Sequence, residues 1–239
     1  MPYTTMILPL VGIRYCTRAM GNGSAASDGQ TAAMPGLTCR SIPDHNGGPR
    51  WLNRLPQIDA YRRQCATPFG LRELNTAITT LPGIEADTLA KSYLSLDFYW
   101  ERCFDWEPEA IWPLFAEQEE VLFAALDPTA PPDPMSHYDD RSRQRRSAFR
   151  ILAMFPQLPP ALMPLLWELA LGEGKIDRPL AQEAMHNVPN ALKLPKIIDA
   201  LSAGKQAVRE AAAAWLGTLG DASAIEPLKQ AFHKEKQES

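Results

Sequence analysis

The amino-acid sequence predicts an all-α protein: an α-solenoid of helical hairpins over residues 139–236, a helical region over 51–127 before it, and a poorly ordered N-terminal extension over 1–50. Three observations carry that prediction. From residue 85 onward apolar side chains recur at steps of three and four, the period of an amphipathic helix. Two separate landmarks then repeat at offsets of 30 to 33 residues, a spacing typical of stacked helical units. Finally, most of the 22 prolines and 14 glycines fall at the edges of apolar segments, where they mark element boundaries.

Residues 19–50 scatter Gly, Ser, Pro and Asn without any period. Such a segment buries too little apolar surface to offset the entropy of ordering it. Residues 1–50 therefore read as poorly ordered, or as an extension unrelated to the fold. Leu89, Tyr93, Leu96, Trp100 and Cys103 form one stripe, which predicts a long helix over about 86–104. Ile111, Leu114, Phe115, Val121, Leu122 and Leu126 predict a second over about 108–126, opened by Pro108, whose missing N–H is harmless in a first turn. Pro113 either bends that helix or moves its start later. Residues 128–138 then read as a Pro-rich loop.

Beyond the loop, Ala148–Leu152 (AFRIL), Ala181–Met185 (AQEAM) and Ala211–Trp215 (AAAAW) superpose at offsets of 33 and 30, and Pro164, Pro195 and Pro227 follow at offsets of 31 and 32. Two independent landmarks sharing one period predict three units, about 141–175, 176–205 and 206–236. In such an array each hairpin buries its apolar face against the next. In the third unit Val208, Ala212, Trp215 and Leu219 form one face of the first helix, which Gly220 can end in the left-handed conformation. Asp221 can cap the second helix, whose Ile225, Leu228 and Phe232 are expected to face the first.

The third unit, VREAAAAWLGTLGDASAIEPLKQAF, resembles a HEAT repeat of the phycobilin-lyase type through Val208, Arg209, Ala212, Trp215, Gly217, Leu219, Gly220, Asp221, Ala224, Ile225 and Leu228. Over roughly 81–236 the phrasing of Phe98 to Ala116 and of Leu166 to Ala184 is similar to the repeat-bearing portion of bacterial molybdate metabolism regulators (MolR-like), large proteins that also carry a WGR domain. Members of that family are much longer and no WGR-like segment is visible here, so the resemblance implies a fragment or a truncated gene product.

The net charge of −4 advertises neither nucleic-acid nor anionic-membrane binding. Charge is segregated, however: residues 1–84 sum to +4 and residues 85–127 to −9. Cys16, Cys39, Cys65 and Cys103 are widely spaced, with no C-x-x-C pair and no histidine in metal-ligand spacing, which argues against zinc. A disulfide framework is equally unattractive in a chain long enough for a core, so a reducing, cytoplasmic setting is expected. The apolar patch Met6–Val11 is interrupted by Pro9 and is far shorter than the ~20 residues that span a bilayer.

One basic cluster, Arg141, Arg143, Arg145, Arg146 and Arg150, is the candidate nucleic-acid patch. It spreads over two helical rows and has no interleaved aromatics, so a solvated surface paired with Asp139, Asp140 or the acidic block 101–120 is the better reading. His45, His137, His186 and His233 are isolated, and His186 reads as a partly buried neutral side chain on a repeat helix. The tryptophans read first as core. With no nucleophile, base or phosphate loop in view, no catalytic residue, cofactor or metal is assigned.

These readings favour a non-enzymatic scaffold that binds a macromolecular partner, with a regulatory role in molybdate metabolism implied by resemblance. A bilin-lyase-like activity, attaching or removing a chromophore at a substrate cysteine, is implied by the repeat alone. A DNA-associated module rests on the arginine cluster. Because the third unit is as apolar as an internal repeat, its 206–232 face is expected to lie exposed and to promote self-association or fraying.

Overall fold

The computed structural model describes residues 5–7, 14–16, 62, 65, 68–80, 84–95, 106–129 and 138–238. Thr5–Ile7 (β1) and Arg14–Cys16 (β2) pair antiparallel, Met6 opposite Tyr15. The rest of the expectation for residues 1–50 lies outside the described residues. All other described elements are helical, as the fold class requires: α1 (Leu71–Ile78), α2 (Thr88–Ser95), α3 (Pro108–Glu117), α4 (Glu119–Leu126), α5 (Tyr138–Ala153), α6 (Met163–Leu171), α7 (Asp177–Ala184), α8 (Asn190–Ala200), α9 (Gln206–Leu219) and α10 (Ile225–Glu238). Short 3₁₀ turns, Pro160–Leu162 and Ala222–Ala224, lead into α6 and α10.

Helix α1 packs on α3, and the start of α1 comes so close that a Cβ on Gly70 would meet the Ala110 carbonyl oxygen at 2.7 Å. Only glycine allows that approach. The Gly70 N–H donates to the Glu73 carboxylate at 2.8 Å, which satisfies one of the orphan groups at the start of α1. Leu89 and Tyr93 of the first predicted stripe are buried on α2, Tyr93 edge-on to Phe115 at 5.8 Å between centroids. Leu96, Trp100 and Cys103 lie outside the described residues.

The single helix expected over 108–126 is two helices. Pro108 opens α3 as predicted and Pro113 is accommodated inside it. The break comes at Gln118 (φ −133°, ψ 48°), whose buried amide leaves the helical path to donate to the Ala86 carbonyl at 2.8 Å. Asn75 donates to the same oxygen at 3.0 Å, so the turn before α2 is held from two sides. A side-chain bond to another segment here wins over helix continuity. The apolar stripe survives the break, with Ile111, Leu114, Phe115, Val121, Leu122 and Leu126 all buried.

Helix α5 is the central element: α2, α3 and α4 pack on it from one side and α7 from the other. Helix α6 also packs on α7, α8 on α9, and α6 reaches α9. Consecutive predicted units thus bury their faces against one another, the arrangement that makes a solenoid cohere. The superposed landmarks fall in one environment, since Ala148, Ala181 and Ala211 are buried on α5, α7 and α9, and Leu152, Trp215 and Met185, the last at the C-cap of α7, are buried one turn later. The prolines are less regular. Pro164, Pro195 and Pro227 occupy the second, sixth and third positions of α6, α8 and α10, so the second helices are not strict copies.

Gly220 ends α9 in the left-handed conformation (φ 63°, ψ 21°), as its sequence context predicts, and a Cβ there would touch nothing within 4 Å. Gly220→Ala is therefore expected to destabilise by about 1 kcal/mol through backbone conformation alone. Urea unfolding measures it, and an unchanged midpoint would show that residue 220 relaxes out of the left-handed region. Among the described residues no helix is long and apolar enough to cross a membrane.

Candidate functional site

Among the described residues an open cleft of about 430 Å³ lies where the end of the first unit meets the second and third. Its walls are the end of α6 and the following turn (Glu168, Leu169, Leu171, Gly172, Glu173), Asp177 at the start of α7, and Lys205 and Val208 at the start of α9. Lys205 bridges to Glu173 at 2.8 Å across the mouth, both side chains being exposed. That bond lowers the Glu173 pKa and raises that of Lys205. The cleft thus combines an apolar floor with a rim that is mostly acidic, and solvent-screened rim charges of this kind orient a partner more than they hold it.

The five arginines of α5 do not form a single outward patch. Arg141 donates to the Asp127 carbonyl at 2.7 Å. Arg145, with 16% of its side chain exposed, donates to the Leu126 carbonyl at 2.9 Å and to Asp177 at 2.8 Å. Two members of the cluster therefore turn inward and satisfy carbonyls left open at the end of α4. Arg146 and Arg150 are exposed and Arg143 is half-buried. The expected partners of the cluster, Asp139, Asp140 and the 101–120 block, are corrected for Arg145: its carboxylate is Asp177, 32 residues away on the next unit.

In the third unit, Ala212 and Trp215 are buried and Val208 and Leu219 half-buried, as the stripe requires. Arg209 of the repeat signature pairs with Glu235 of α10 and donates to the carbonyls of Ala203 (2.9 Å) and Gly204 (3.0 Å), so it ties both ends of the hairpin together. Glu235 is held below the usual carboxylate range by that contact. Asp221 accepts from the Ser223 N–H at 3.0 Å and hydroxyl at 2.7 Å. It caps the 3₁₀ turn that introduces α10, and these bonds lower its pKa. Gly217 is exposed.

Two expectations are corrected in this unit and its neighbour. Ile225 (53% exposed) and Phe232 (66%) stand in solvent, and the inner contacts come from Leu228 and Ala231 of α10 and from the buried Ala224 of the turn before it. His186 lies exposed just beyond the end of α7, its Nδ1 within 3.0 Å of the Glu183 carbonyl. The tryptophans do serve the core: Trp106 is buried edge-on to Phe69 beneath the Arg62 guanidinium, Trp112 packs on Phe155, and Trp167 packs on Trp215. Trp100 lies outside the described residues. Among those residues no cluster of His, Cys, Asp or Glu could hold a metal.

Sequence reasoning missed Lys193. It is 4% exposed on α8 while the adjacent Leu192 is 63% exposed, the reverse of what the apolar pattern suggests. Its ammonium lies 3.5 Å from the Met185 carbonyl and 3.3 Å from that of His186, where α7 runs out of internal donors. Burial lowers the Lys193 pKa below its ordinary 10.5. Just below pH 10.5 the folded state then binds fewer protons than the unfolded state, so this group makes stability rise with pH there. The wild type is expected to gain on Lys193→Met as pH climbs toward 10.5, with a slope of at most about 1.4 kcal/mol per pH unit. Denaturant unfolding at several pH values checks this, and a difference that is flat or falls with pH would refute it.

Stacked helical hairpins on one continuous core define the class as an α-helical repeat protein. Within it, residues 208–234 match the family model of the PBS lyase HEAT-like repeat, the segment formed by α9, its capping turn and α10. No curated protein and no solved structure matches the chain.

Proposed function

We propose that this chain is a HEAT-like repeat binding module that holds a macromolecular partner along the cleft where the end of its first unit meets the second and third. The reading is supported by that cleft: it is open, apolar at its floor and bordered by the exposed Glu168, Glu173 and Lys205. A surface of this shape suits a partner segment carrying an apolar anchor and a basic side chain. No bond chemistry is assigned to it. The likeness of residues 98–116 and 166–184 to molybdate metabolism regulators adds a regulatory role to the same proposal.

A photo-crosslinking residue placed at Glu173 or Lys205 of the full chain, with one at the exposed Glu85 in the helical region before the array as control, tests the site. A partner captured from the first two positions and not from the third supports it. Identical capture at all three, or none, would remove the cleft from consideration.

A second reading is favoured by a different observation, the match of residues 208–234 to a lyase-type repeat. On that reading the module handles an open-chain tetrapyrrole destined for a cysteine of another protein. The family match speaks more directly for this reading, and the geometry for the first, since repeats of one kind serve many functions. Absorbance spectra of the protein mixed with a bilin separate them: a red-shifted, stoichiometric complex supports the lyase-type reading, and an unchanged bilin spectrum ends it. The DNA-associated reading keeps only the arginines not turned inward, and fluorescence anisotropy with duplex DNA at low salt tests it.

A further inference from the structure

The outer face of α10 contributes no residue to the cleft lining, and its charge pattern is self-complementary. Ile225, Lys229 and Phe232 stand at i, i+4 and i+7 along one exposed stripe, where bulky apolar side chains are left in water while Ala224, Leu228 and Ala231 face inward. Beside the stripe lies Glu226 near the start of the helix, with Lys229, His233 and Lys234 following toward its end. Glu226 and Lys229 are only loosely paired within the helix, 3.8 Å apart with 69% and 64% of their side chains exposed.

We infer that this face docks a second copy of the chain, with the two α10 helices antiparallel about a twofold axis. In that arrangement Ile225 of each copy meets Phe232 of the other, and each Glu226 faces the basic stretch Lys229–Lys234 of its partner. The two Lys229 side chains then flank the twofold axis, each within reach of the partner's Glu226, whereas a parallel pairing would set Glu226 against Glu226 and Lys234 against Lys234. Helix dipoles also favour the antiparallel arrangement. The inference uses none of the residues that line the cleft. A single helix pair buries less than the ~1,200 Å² of a standard stable interface, so the dimer belongs in the micromolar range.

Sedimentation equilibrium of the full chain from about 1 to 200 µM tests the proposal across that range. The wild type is expected to show a monomer–dimer equilibrium, and Phe232→Glu or Ile225→Glu to weaken it at least about tenfold, as removal of a central apolar anchor does. Both side chains are exposed, so the variants should keep the wild-type thermal midpoint, which separates lost docking from lost folding. Glu226→Lys and Lys229→Glu should each weaken self-association, while an equimolar mixture of the two should associate again, because each copy then presents the charge the other lacks. A wild type that stays monomeric over the whole range overturns the inference. So does a dimer insensitive to both apolar substitutions, which would place the contact elsewhere, or a charge-swapped mixture that remains monomeric.

Discussion

Trp215→Ala is expected to destabilise the protein by about 3–5 kcal/mol, the range for deleting a large aromatic side chain from a packed site. Trp215 is 4% exposed on α9 and its indole sits 5.8 Å, centroid to centroid, from that of Trp167 on α6. It therefore links the first unit of the array to the third, while α8 packs against the same helix. Lys196 of α8 lies over the other indole at 5.5 Å, so the cation–aromatic contact weakens as well when Trp167 loses its neighbour. For a chain of this size the thermal midpoint should fall by on the order of 10 °C. In a stack of units coupled only to their neighbours the damage should be local, with hydrogen-exchange protection lost over α8 to α10 before α3 to α5. A destabilisation below about 1 kcal/mol would mean that the array collapses around the gap and that the two indoles do not hold the units together.

Arg145→Met should cost about 2–4 kcal/mol, near the lower end for breaking a buried charged pair because both partners keep some contact with water. The guanidinium closes the last turn of α4 through the Leu126 carbonyl and reaches Asp177 at the start of α7, with the side chains 16% and 25% exposed. Methionine fills similar space but leaves a carbonyl without its donor and a carboxylate without its counter-ion. Asp177→Asn should cost less, because the amide keeps most of the shape and Arg145 keeps its carbonyl. A double-mutant cycle by denaturant unfolding isolates the pair. Additive single effects would show that Arg145 acts through α4 alone and that the seam between the helical region and the array is held by apolar packing.

Much of this architecture was legible in residue spacing. The stripes Leu89–Tyr93 and Ile111–Leu126 and the array landmarks at 148, 181 and 211 are all buried as their periods demand, because burying one face of a helix is a local property of its sequence. Gly220 and Asp221 were legible for the same reason. A left-handed C-cap and a capping carboxylate are set by residues within one turn of each other. The third unit carried enough of these local signals for its repeat type to be read, and residues 208–234 match that type.

The rest depended on groups far apart in the chain. The break at Gln118 exists because an amide finds the Ala86 carbonyl 32 residues earlier, which no helical period encodes. Arg145 turns inward because α7 brings Asp177 to it, and the apparent basic patch becomes a joint between helices. Lys193 is buried and Leu192 exposed because the open carbonyls at the end of α7 lie over one side of α8, and an unsatisfied carbonyl in a dry setting outweighs the gain from burying a leucine. Ile225 and Phe232 are exposed because α10 turns Leu228 and Ala231 to the core instead, a choice of face made by where the rest of the array lies and not by hydrophobicity alone. By itself, then, the sequence determined the helices, their caps and the repeat, since these follow from neighbours along the chain. The cleft, the buried lysine and the outward face of α10 were decided by tertiary structure, since each depends on where a distant helix leaves its polar groups and its space.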